Sequence, residues 1–154
     1  MKIIVISDTH GNIETSKHFI RRANPDMVIH LGDTVYDAEL LTDIFPNLRF
    51  EYVPGNGDYY SHLPLSKTIL IHGKTVYLTH GHKQSVKSGI SILRETAKTI
   101  MASVALYGHT HKAKIEQSNG IWLICPGTAG TGSGTCAELK IDANGIDASV
   151  LTME

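Results

Sequence analysis

The chain has 154 residues and a mass of 16.8 kDa, with 42% hydrophobic and 19% charged residues. That profile suits one globular domain, spanning 1–154, that buries roughly two-thirds of its unfolded surface. A net charge of −1 and a pI near 6.7 give no long-range field for capturing nucleic acid, and no apolar run approaches the ~20 residues of a membrane span.

The first half alternates strand and helix. "KIIVIS" (2–7) is a continuous apolar, β-branched run, the mark of a strand buried on both faces. Residues 2–7 are also too few for the apolar core of a signal peptide. Ile13, Ile20 and Ala23 then mark a helix with Asn12 as expected N-cap, stopping before Pro25. "MVIHL" (27–31) is a second strand, followed by a short helix bearing Leu40, Leu41 and Ile44 and ending at Pro46. "FEYV" (50–53) is a third strand. Units of this kind imply parallel pairing with right-handed crossovers.

Later the pattern changes. "TILIHGKTVYLT" (68–79) reads as a hairpin turning at His72-Gly73-Lys74. A helix is expected over 85–103, on the spacing of Ile90, Leu93, Ala97, Ile100 and Met101, and "VALY" (104–107) is another strand. The final forty or so residues are expected to be all-β, with hairpin turns at Asn119-Gly120 and Asn144-Gly145. Between them lies a glycine-rich loop, "PGTAGTGSGT" (126–135), which lacks the lysine and helix of a P-loop. Cys125 and Cys136 make no disulfide framework, and a reduced, cytoplasmic protein is expected. The fold class is a mixed α/β domain.

The residues at the end of each apolar run carry the functional signal. The first strand leads to Asp8-Thr9-His10, the second to Asp33 and the third to Asn56 and Asp58. "VYLT" leads to His80-Gly81-His82, and "VALYG" leads to His109-Thr110-His111. Loops after the carboxyl ends of parallel strands form the ligand crevice of an α/β sheet. Side chains at i and i+2 of extended chain point the same way, so Asp8 with His10, and His109 with His111, can each bring two donors to one spot. Each motif alone also reads as a turn or a helix cap. Together they make a metal site, because independent turns have no reason to end five strands in ligand types.

The donors are carboxylate, amide and imidazole, a set suited to manganese, iron, zinc or nickel. Seven candidates (Asp8, His10, Asp33, Asn56, His80, His109 and His111) are too many for one tetrahedral ion and enough for two ions sharing a bridging carboxylate. Two ions roughly 3.5–4 Å apart form the clamp used to hydrolyse phosphate esters. The other histidines serve as controls: His30 reads as a satisfied core residue, His18 as helix surface, His62 as loop, and His72 as a turn at the wrong end of its strand.

In this order D-x-H (8–10), G-D (32–33), G-N-x-D (55–58), H-G-H (80–82) and G-H-x-H (108–111) resemble the calcineurin-like metallophosphoesterases. The wording is most similar to the compact bacterial and archaeal phosphodiesterases of that family. The resemblance implies a sandwich of two mixed β-sheets flanked by helices. It implies one ion on Asp8, His10, Asp33 and His111, and a second on Asp33, Asn56, His80 and His109, with Asp33 bridging. A hydroxide shared by the ions would then attack phosphorus, with Asn56 helping to neutralise the phosphoryl oxygens. Manganese is the first choice of metal.

One departure matters. Many relatives carry histidine after the G-N pair, where this chain has Gly57. Glycine cannot protonate a leaving oxygen, which favours substrates with good leaving groups and a small or nucleotide-like phosphodiester over a monoester. His82, two residues beyond His80, is the candidate replacement acid. A phosphomonoesterase is the alternative within hydrolases. A protein-binding scaffold like the retromer subunit is the alternative outside them, disfavoured because every ligand position is filled. No basic groove marks a nuclease. The edges of the hairpins leave a homodimer open.

Overall fold

Two five-stranded sheets stack face to face, with helices on both outer sides, in a computed structural model describing residues 1–154. The first sheet has the order β10-β9-β1-β2-β3, from β10 (Ile146–Thr152), β9 (Thr135–Ile141), β1 (Lys2–Ile6), β2 (Met27–His30) and β3 (Arg49–Tyr52). The second has the order β4-β5-β6-β8-β7, from β4 (Ser66–Ile71), β5 (Lys74–Thr79), β6 (Val104–Leu106), β8 (Ile121–Cys125) and β7 (Lys114–Ser118). Both sheets are mixed. β1, β2 and β3 run parallel, as do β5, β6 and β8, while β9, β10, β4 and β7 pair antiparallel.

The continuous apolar run of β1 is explained by its two buried faces. Ile3 and Val5 point between the sheets, against Met27, Ile29, Val76, Leu78, Val104 and Leu106. Ile4 and Ile6 point outward, under Phe19 and Ile20 of α1 (Glu14–Ala23) and Leu41 of α2 (Val35–Ile44). On the far side, Leu93 and Ala97 of α3 (Ser91–Thr99) cover Tyr77, Ala105 and Leu123. Burial at about 25 cal/mol per Å² of apolar surface locks the register, since a one-residue slip of β1 would exchange the two faces.

Two local expectations fail for identifiable reasons. Asn12 does not cap α1: Ile13 occupies that position without a side-chain bond, and the Asn12 amide donates instead to the Gly130 carbonyl at 3.2 Å. The helix expected over 85–103 is confined to Ser91–Thr99, after a short 3-10 turn at His82–Gln84. Ser85 at φ 51° and Gly89 at φ 149° adopt backbone conformations that a right-handed helix does not allow. Both hairpin turns at Asn-Gly and the turn at His72-Gly73 fall where expected.

Candidate metal centre

The carboxyl ends of β1, β2, β3, β5 and β6 converge at one rim, and the seven candidate ligands follow them there. Main-chain bonds lace the loops together: Asp8 N–H donates to the Gly32 carbonyl at 2.9 Å, His10 N–H to the Asp33 carbonyl at 3.2 Å, and Gly108 N–H to the His80 carbonyl at 2.9 Å. The two sheets are joined across the centre by the His109 N–H, which donates to Asp8 Oδ2 at 3.2 Å.

Asp8 is fully buried and shared by two groups of donors. In the outer group, Asp8 Oδ1 lies 3.0 Å from His111 Nε2 and 3.9 Å from His10 Nε2, and the two imidazole nitrogens are 3.5 Å apart. In the inner group, His80 Nε2 lies 3.5 Å from Asp33 Oδ2 and 4.0 Å from Asp8 Oδ1. Asn56 Oδ1 approaches the same nitrogen at 3.0 Å, and the His109 ring stands edge-on to His80 with centroids 5.0 Å apart.

Two features fit this donor set to cations. Asp8 Oδ1 is a buried carboxylate oxygen without a hydrogen-bond partner, an arrangement costly unless a charge compensates it. The second is the tautomer of His80. Its Nδ1 meets the Leu31 carbonyl at 2.7 Å, and a carbonyl only accepts, so Nδ1 carries the proton. In the neutral ring Nε2 is then the lone-pair atom, and it faces oxygens of Asn56, Asp33 and Asp8. Such a second-sphere carbonyl is how metal-binding histidines are aimed.

The convergence does not arise from extended chain. Asp8, His10, Asp33, His109 and His111 all have φ between 45° and 68°, a left-handed region that costs a non-glycine residue on the order of 1 kcal/mol. Consequently His109 and His111 do not share a spot, as an extended i, i+2 pair would. His111 turns to Asp8 and His10, whereas His109 turns to His80.

Other residues support the ligands. The family resemblance gives Asp58, in the G-N-x-D motif, the task of orienting a histidine ligand or the loop, and its bonds go to the loop. Its carboxylate accepts from the amides of Asp33 at 3.0 Å, Gly55 at 2.7 Å and Val35 at 2.8 Å, which fixes the Asp33 turn. Asp37, in the first turn of α2, accepts from Gly11 N–H at 2.8 Å. The glycine-rich loop fastens the Asp8 turn: Ala129 N–H donates to Ser7, Gly130 N–H to Asp8, and Thr128 Oγ1 to the Asp8 carbonyl at 3.0 Å. A Cβ on Gly130 would lie 2.2 Å from the Thr9 carbonyl, so glycine is required for that approach.

The control histidines lie where the sequence suggests. His30 is buried, accepting from Gly32 N–H at its Nδ1 and donating from Nε2 to Thr9 Oγ1 at 3.0 Å; burial pushes its pKa down to about 4. His18 lies exposed on α1, and His72 is in the β4–β5 turn. His82 lies beside the inner group, its ring 5.6 Å from His80 and 6.3 Å from His109, with a buried, unpartnered Nδ1. Partial burial and then the neighbouring His80 lower its pKa. Gly57 donates its amide to Asp33 Oδ1 at 2.8 Å, and a Cβ there would come within 3.1 Å of that oxygen.

A two-sheet sandwich with such a rim is the architecture of a metallophosphoesterase. The chain belongs to the calcineurin-like phosphoesterase superfamily, whose domain matches residues 1–144. It is 31% identical over 130 residues to a probable metallophosphoesterase of Mycoplasma pneumoniae, covering 82% of this chain and 78% of that one. It is 28% identical to a protein of Methanocaldococcus jannaschii named a phosphodiesterase, covering 82% of this chain and 83% of the other. Among solved structures, a predicted phosphoesterase of Streptococcus pneumoniae superposes with a TM-score of 0.83 at 26% identity, over 99% of this chain and 89% of that one. The zinc complex of Vps29 from Entamoeba histolytica reaches 0.76 at 19% identity over the whole of both chains, a likeness of fold alone. No helix is long and apolar enough to cross a membrane.

Proposed function

We propose that the protein is a dinuclear metal-dependent phosphodiesterase. The observation that carries the reading is Asp8 Oδ1, buried without a hydrogen-bond partner and faced by imidazole nitrogens of His111, His10 and His80 at 3.0, 3.9 and 4.0 Å. By the family resemblance, Asp8, His10, Asp33 and His111 would hold one ion, and Asp33, Asn56, His80 and His109 the other, with Asp33 as the shared carboxylate and manganese the first choice, whereas the carboxylate common to both donor groups in the structure is Asp8. Divalent ions held there supply Lewis-acid polarisation of a phosphoryl group and acidify water toward neutral pH.

The chain's own residues do the rest. Leu31 fixes the His80 tautomer and Asp58 fixes the Asp33 turn, and in this reading the Asn56 carboxamide would help to offset charge on a phosphoryl oxygen. The diester preference rests on Gly57, which offers no proton to a leaving oxygen, and on the relative named a phosphodiesterase. His82 is the proton donor in this reading, a role that its lowered pKa confines to the acid side of neutrality. Losses of equal size on an activated and an unactivated ester in His82→Ala would remove that role.

The test pairs elemental metal analysis with hydrolysis of a chromogenic diester and monoester in Mn²⁺. Asp33→Asn should abolish turnover and lower metal content while leaving the circular dichroism spectrum intact. Full activity in that variant would remove Asp33 as the bridge. A wild-type protein that takes up metal yet hydrolyses neither ester would favour the scaffold alternative, for which the Vps29 neighbours supply only the fold.

A further inference from the structure

The rim beside the ligands is not symmetrical. On one side a groove of about 530 Å³ runs between the start of α2 and the loop 57–63. It begins at the metal centre, since Thr34 follows Asp33 and Gly57 follows Asn56. Farther out stand Tyr36, Tyr59 and Tyr60, exposed to 62%, 86% and 95%. Three of the protein's six tyrosines therefore face solvent in one groove. The other three, Tyr52, Tyr77 and Tyr107, are buried or half-buried.

Charge narrows what the groove accepts. No lysine or arginine lines it; beside the imidazole of His62, its titratable side chains other than tyrosine are the carboxylates of Glu39, one helical turn from Tyr36, and Asp58, already committed to backbone amides. A separate pocket at the rim is cationic, with Lys87, Lys112 and Lys114 around Thr110, the residue between His109 and His111. An anionic arm of a substrate is thus drawn to the lysine side and repelled by Glu39. The tyrosine side suits a flat, uncharged ring that stacks on an aromatic face and offers N–H donors to a carboxylate. Nucleobases have both properties, and stacking on one aromatic side chain raises affinity by roughly tenfold or more.

We propose that this groove binds the nucleobase of a nucleotide phosphodiester, through the arm that the reaction does not displace. The proposal rests on the phosphodiesterase reading for the phosphoryl group and on the tyrosines alone for the base. Neither Tyr36 nor Tyr59 touches the metal machinery, and their exposure makes them replaceable without harm to the fold.

Adenosine tests the base site without any phosphate. Saturation-transfer NMR should show contact to its base protons in the wild type, loss of contact in Tyr36→Ala/Tyr59→Ala, and retention in Tyr36→Phe/Tyr59→Phe, which keeps the ring faces. Contact in none of the proteins, or equal contact in all three, overturns the proposal. Calorimetry on Mn²⁺-loaded protein then joins the two sites. Adenosine 5′-monophosphate should bind at least tenfold tighter than ribose 5-phosphate, and the alanine pair should erase that ratio without moving the ribose 5-phosphate Kd. Equal affinities in the wild type overturn the proposal. Failure of ribose 5-phosphate itself to bind removes the phosphoryl site instead, and the adenosine result stands separately.

Discussion

The inner and outer ligand groups share Asp8 and differ in almost everything around it. Asp8, Asp33 and His80 are buried between the ends of both sheets, with His80 tied by Nδ1 to the Leu31 carbonyl. His10 and His111 are exposed, and their rings contribute nothing to the core. The inner group is therefore part of the fold as well as of the proposed chemistry, whereas the outer histidines are attached to a scaffold that would stand without them. Stability and metal binding should separate along that line.

The largest separation is expected between His80→Ala and His111→Ala. In a chelator, losing the buried His80 leaves a cavity and an unpaired Leu31 carbonyl, costing about 3 kcal/mol. Losing the exposed His111 should change stability by less than about 0.5 kcal/mol. Both should lose turnover. Urea denaturation of the two variants decides the matter, and equal destabilisation would dissolve the distinction between the groups.

The inner side should also be the acid-labile one. His30 lies beneath it, bonded to Thr9 and Gly32, with burial holding its pKa near 4 against an ordinary 6.5. The charged form is disfavoured in the folded state, so as pH falls below 6.5 the unfolded chain takes up the proton first. Stability from this residue is complete above 6.5, declines down to about 4, and then levels off, a total on the order of 3 kcal/mol. The gap in unfolding free energy between wild type and His30→Gln should accordingly shrink from pH 7.5 to 4.5. A gap that stays constant would clear His30 of the effect.

The same contrast explains what the sequence discloses. Each apolar run shows where a strand ends, and the residue types after it name the donors, so Asp8, Asp33, Asn56, His80 and His109–His111 are legible one by one. How they are shared is not legible from spacing, because the loops turn through left-handed backbone at Asp8, His10, Asp33, His109 and His111 instead of continuing the strand. The glycine-rich loop gives no hint of its task either. It holds the Asp8 turn through the main-chain N–H groups of Ala129 and Gly130 and the Thr128 hydroxyl, and two amides and one threonine make no recognisable motif. Asn12 looks like a helix cap until Gly130, distant in sequence, claims its amide.

The smallest expected effect comes from the outer side and has an unusual sign. His10 is exposed and held at φ 48°, so its side chain adds little packing while its Cβ makes the backbone conformation costly. Glycine adopts that conformation freely, at the expense of some extra freedom in the unfolded chain. In a chelator, His10→Gly should raise stability by about 0.5 kcal/mol, whereas His10→Ala, which keeps Cβ, should not. Adding Mn²⁺ should reverse the order, because the wild type gains binding free energy that the glycine variant has lost. Unfolding curves with and without the ion measure both terms. A glycine variant less stable than wild type in the chelator would mean that the left-handed turn is not where the cost of building the outer site resides.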